Sequence, residues 1–84
     1  MLDSPPPALG DWARVLKARY EEHRAAVAEE RPTVLDAYGA ANPTEFFAVA
    51  TETFFERPVS LKGAMPDLYA ELARIYGVDP ATWV

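Results

Sequence analysis

There is no cysteine in these 84 residues. That absence rules out a disulfide framework, a thiolate metal site and a thiol nucleophile, so the fold must be held by packing or by a partner. Positive charge is also scarce: 8 Lys and Arg face 13 Asp and Glu, for a formal net charge of −5. Without clustered cations to release counterions from a phosphate backbone, DNA and RNA are not expected as ligands. No apolar stretch approaches the ~18 residues that cross a bilayer. The opening "MLDSPPPALG" has neither the basic start nor the apolar middle of a secretion signal, so a soluble, cytoplasmic protein is expected, with no membrane partner. Histidine is limited to His23, period-2 alternation of useful length is missing, and the chain carries no complete catalytic motif.

What the chain has in excess is proline, 8 residues, against a globular balance of 50% hydrophobic and 25% charged residues. The prolines are expected to mark boundaries. Pro5 to Pro7 predict an extended lead-in over residues 1–10, followed by a single helical domain over 11–84. From Asp11, read as an N-cap, the positions Trp12, Val15, Leu16, Tyr20, His23 and Val27 follow helical spacing and predict a helix over 12–29. Pro32 and Gly39 break the pattern and predict a connector. Asn42 followed by Pro43 predicts a second helix over 43–56, because Asn accepts from an early amide and Pro at the first position loses only an unpaired donor. Pro58 opens a short turn or helix. Pro66 starts a third main helix over 66–76, with Leu68, Leu72, Ile75 and Tyr76 as its apolar stripe and Gly77 as its stop. Asp79 and Pro80 repeat the start signal for one last turn, expected to tuck the Trp83 indole against the bundle. The predicted fold is all-α: a small bundle of three main helices with proline-marked connectors and no significant sheet.

Glu45, in "NPTEFF", raises the functional question. At the third position of a helix capped by Asn42 it can reach back to the cap amide and favour the positive end of the helix dipole. On a 100° wheel, Phe46, Phe47, Ala50 and Phe54 gather on one side, with Glu45, Glu52, Glu56 and Val49 opposite. Such an acidic stripe is usually a solvated face. A carboxylate backed by aromatic rings is also how a helix fixes a ligand at a site floor. His23, alone on the apolar face of the first helix, reads as a partly buried packing residue and not as a metal ligand.

The stretch "YGAANPTEFFAVATETFFERP", Tyr38 to Pro58, with "PDLYAELARIYGVDP", Pro66 to Pro80, resembles the C-terminal part of the MtfA family of zinc peptidases (Mlc titration factor A, the M90 peptidases). A more distant resemblance is to the catalytic domain of anthrax lethal factor. The likeness extends weakly through "WARVLKARYEEHRAAV". It implies that Glu45 stands at the third protein ligand of a catalytic zinc, after two histidines of an HExxH helix. It also implies that Tyr38, seven residues earlier, supports the oxyanion of the tetrahedral intermediate. Two His and one Glu leave zinc an open position for water, and a phenol donor stabilises the developing charge.

This sequence has no HExxH and cannot build that site unaided, so the chain alone is expected to be inactive and to bind no zinc tightly. "MLDSPPPALGDW" looks like the remainder of a stretch that follows HExxH in the family, so the chain is expected to begin just downstream of the catalytic helix. The alternative is a free-standing, non-catalytic helical module that binds a protein partner or itself through exposed apolar surface. Trp12, Tyr20, Phe55, Tyr69 and Trp83 are the residues expected to serve it.

Overall fold

The computed structural model describes residues 7–83, with side chains from Trp12 onward. Four α-helices follow in order: α1 Pro7–Ala28, α2 Pro43–Glu56, α3 Pro58–Ala64 and α4 Pro66–Tyr76. Two 3-10 turns complete them, Ala37–Ala40 between α1 and α2 and Pro80–Trp83 after α4. Among the described residues there is no strand, so the all-α expectation holds. Pro7, Pro43, Pro58, Pro66 and Pro80 each open one of these elements. The reason is common to all five: the first helical turn has amides with no intrahelical acceptor, so a residue without an amide hydrogen costs nothing there.

The same prolines make the corners. Arg57 ends α2 and precedes Pro58 with φ −137° and ψ 61°, and Met65 ends α3 and precedes Pro66 with φ −139° and ψ 69°. A residue before proline is pushed out of the helical region by the proline ring. One residue therefore suffices to break each helix, and α2, α3 and α4 fold back without a loop between them. α1 ends instead on a left-handed residue, Glu30 at φ 57°, with the Arg31 amide returning to the Ala26 carbonyl at 2.8 Å. α4 ends the same way on Gly77 at φ 69°.

The core lies where α2, α3 and α4 converge against α1: Phe46, Phe54, Leu35, Leu61, Leu68 and Leu72 are fully buried. Edge-to-face contacts carry the packing outward, Trp12 on Phe47 and Tyr20 on Phe46, both with centroids 5.6 Å apart. Arg19 ties α1 to α4 through Asp67 at 2.9 Å.

Several expectations are corrected. α1 starts at Pro7, not at Trp12, so residues 7–10 are helical and Asp11 is no N-cap. Pro7 does not delay the helix, because proline is at home in a first turn. The lead-in over residues 1–6 lies outside the described residues. Val49 is buried with Phe46, Ala50 and Phe54, not exposed with the glutamates. It sits only roughly 20° beyond Glu56 on the wheel, and the buried arc is wide enough to take it in. In α4 the stripe shifts: Leu68, Tyr69, Glu71 and Leu72 are buried, whereas Ile75 and Tyr76 are exposed because the helix ends beyond the core. Trp83 is 65% exposed and does not tuck in; the turn is held instead by Pro80, which is buried. Of the aromatics expected to be exposed, Phe55 and Trp83 are, Trp12 and Tyr20 are half-buried, and Tyr69 is buried.

Candidate functional site

The site is set by the 3-10 turn and the start of α2. Asn42 takes an extended conformation and its side-chain oxygen accepts from the Glu45 amide at 2.9 Å, as its position before Pro43 predicts. The reciprocal half of a capping box is not made. Among the described residues the Glu45 carboxylate has no hydrogen-bond or ion-pair partner, and the side chain is half-buried at the edge of the Phe46 face. The Asn42 cap thus engages the Glu45 backbone, while the Glu45 carboxylate lies in the first turn of α2, near the positive end of the helix dipole.

Tyr38 stands in the preceding turn with 62% of its surface exposed. Asp36 starts that turn: its carboxylate accepts from the Tyr38 amide at 2.8 Å, and its carbonyl accepts from the Gly39 amide at 3.0 Å. Sequence reasoning missed Asp36, although an aspartate two residues before a turn amide is the signature of an Asx turn. Gly39 is buried beneath, where a Cβ would lie 3.4 Å from both His23 Nε2 and Val49 Cβ. These are ordinary van der Waals distances, so the turn packs directly on α1 and α2 at this point.

His23 is 1% exposed, a packing residue of α1 as its place on the apolar face implied. Its Nε2 lies 2.9 Å from the Asp36 carbonyl oxygen, which can only accept, so Nε2 carries the proton. Nδ1 is buried without a partner among the described residues, and the ring lies 5.8 Å from that of Phe46. His23, Gly39 and Phe46 thus pack together where the 3-10 turn meets α1 and α2.

Elsewhere, Tyr69 anchors the last turn. Its hydroxyl donates to Asp79 and accepts from the Ala81 amide at 2.9 Å. Burial, reinforced by the Asp79 carboxylate, raises the Tyr69 phenol above its usual range. A concavity of about 160 Å³, lined in part by His23, lies between α1, residues 31–34 and the end of α3.

Among the described residues no three His, Asp or Glu side chains converge as metal ligands. One carboxylate and a phenol do not fit a zinc ion by themselves, since zinc sites take at least three protein donors. No helix among the described residues is long and apolar enough to cross a membrane.

Glu45 and Tyr38 thus stand on adjoining elements, the start of α2 and the 3-10 turn before it. A family model described as glucose-regulated metallo-peptidase M90 matches residues 4–77, and the chain belongs to that family, the MtfA metallopeptidases. It is 38% identical over 71 residues to Mlc titration factor A of Edwardsiella ictaluri, which covers 82% of this chain and 27% of that protein. It is 48% identical over 46 residues to Mlc titration factor A of Yersinia pestis, covering 55% of this chain and 17% of that protein. An uncharacterized protein of Synechocystis sp. is 41% identical over 69 residues, covering 82% of this chain and 25% of that protein. The chain thus spans about a quarter of the length of the curated relatives it matches. No solved structure matches, and the more distant likeness to anthrax lethal factor gains no support.

Proposed function

We propose that this chain forms the C-terminal helical part of an MtfA-like zinc-dependent peptidase site, with Glu45 as a metal ligand and Tyr38 as a hydrogen-bond donor to the reacting carbonyl oxygen. Zinc in such a site acts as a Lewis acid on water or a carbonyl. This chain's contribution is placement. Glu45 offers oxygen donors from a rigid helix start, and Tyr38 offers a phenol from a turn packed on that helix. The observation that carries the reading is the half-buried Glu45 carboxylate, which has no partner among the described residues while its own amide is capped. Two histidines must come from residues outside this chain's set, in keeping with its single His23.

The test is a chimera in which this chain replaces the matching segment of Mlc titration factor A from Edwardsiella ictaluri. Zinc content and peptidase turnover should survive the exchange. Glu45→Ala should abolish zinc retention, and Tyr38→Phe should lower kcat about 10²- to 10³-fold with zinc retained, as expected for loss of one oxyanion donor. Retention of zinc and turnover by Glu45→Ala overturns the reading. For the chain as it stands, calorimetry with zinc chloride should detect no tight binding.

A second reading, association with a protein partner or another copy, is favoured by one feature. Phe55 and Tyr76 are both exposed, with ring centroids 5.3 Å apart, and Ile75 is exposed on the same helix as Tyr76. Sedimentation across a concentration series tests it: a rise in mass lost in Phe55→Ser supports it, and a constant monomer mass counts against it.

A further inference from the structure

We propose that His23 is a positioning residue: through the Asp36 carbonyl it sets the Tyr38 turn against the start of α2 and so fixes where the phenol stands relative to Glu45. The proposal takes its functional meaning from the peptidase reading, but its geometry is independent of it. Three contacts converge on the one imidazole. Nε2 donates to the Asp36 carbonyl at 2.9 Å, and the same oxygen accepts from the Gly39 amide at 3.0 Å. The imidazole edge lies within 3.5 Å of where a Gly39 Cβ would stand, so the ring forms the seat on which the turn rests. The ring also packs on Phe46, the residue after Glu45, at 5.8 Å between centroids. One side chain of α1 therefore touches both elements that carry the candidate site residues.

Its chemistry agrees with this role. Nδ1 has no partner among the described residues, so the imidazole's hydrogen bond to the fold is the one at Nε2. What histidine adds to an apolar core here is the single donor at Nε2. That donor is aimed at the first carbonyl of the turn. The Asp36 carboxylate accepts from the Tyr38 amide at 2.8 Å, so the carboxylate and the carbonyl of one residue both fix the backbone at 36–39. Without the imidazole bond the turn keeps its internal bonds but loses its hydrogen bond to α1.

The test uses the 84-residue chain. Nitrogen-15 shifts of the imidazole report the proton's location, and residual dipolar couplings report the orientation of the 37–40 turn relative to α2. His23→Leu removes the donor; His23→Gln restores an N–H at the same number of bonds from Cα; Val15→Ala is a core control away from the turn. The proton should reside on Nε2, and the turn should share one alignment tensor with α2 in the parent, Gln and Val15→Ala chains. In His23→Leu the turn should leave that tensor, and Gly39 amide protection should drop roughly tenfold relative to α4. A proton on Nδ1, or a turn that stays in register in His23→Leu, overturns the proposal. Should the leucine variant not fold, the Gln variant decides: a turn in register supports the role and one out of register refutes it. These measurements need neither zinc nor turnover, so failure of the chimera alone leaves them standing, and their failure alone leaves the peptidase reading standing.

Discussion

At the scale of single residues, a backbone cap and a buried phenol each make a measurable contribution. Asn42 caps α2 by accepting from Glu45, and its replacement by Ala should destabilise the chain by about 1 kcal/mol, read from urea unfolding. Tyr69 gives the pH dependence. A phenol whose pKa is raised by folding contributes stability that is complete below its ordinary value of 10.0 and is lost as pH climbs through the folded value. The thermal midpoint should therefore fall above pH ~10. Tyr69→Phe, which cannot ionise, should flatten that fall while lowering stability at neutral pH through loss of the bonds to Asp79 and Ala81. A Phe variant with the parent's alkaline profile would show that another group governs it.

At the scale of elements, the two left-handed helix ends give a matched pair. Glu30 and Gly77 both terminate a helix at positive φ, but only Gly77 does so without a Cβ clash. Glu30→Gly should raise stability by up to about 1 kcal/mol, and Gly77→Ala should lower it by about the same amount. Both are read as shifts in urea midpoint at constant slope. The helix starts were legible because proline and Asn act through neighbouring backbone alone, and α2 and α4 occupy the residues their prolines predict. The start of α1 is not legible in the same way, because Asp11 offers a cap signal while Pro7, inside a run of prolines, is already competent to begin the helix.

At the scale of the whole molecule, the core is small and depends on a few large side chains. Phe54 is fully buried and touches Phe55, Tyr69 and Tyr76 by ring contacts. Truncation to Ala should cost about 3–5 kcal/mol, which is comparable with the whole stability of a domain this size. The Phe54→Ala chain should therefore be largely unfolded by circular dichroism at 37 °C.

The all-helical class, the corners and the start of α2 followed from the sequence by itself, because each rests on bonds and clashes within a few residues. Glu45 and Tyr38 were likewise singled out there, by resemblance. Only the tertiary structure decided which faces meet. It drew Val49 into the core, left Ile75 and Trp83 outside it, and brought His23 beneath a turn 13 residues away in the chain. Those outcomes depend on how far the buried arc of each helix extends once its neighbours are in place, and on how closely a turn comes to rest on α1. Neither quantity is a property of any one segment.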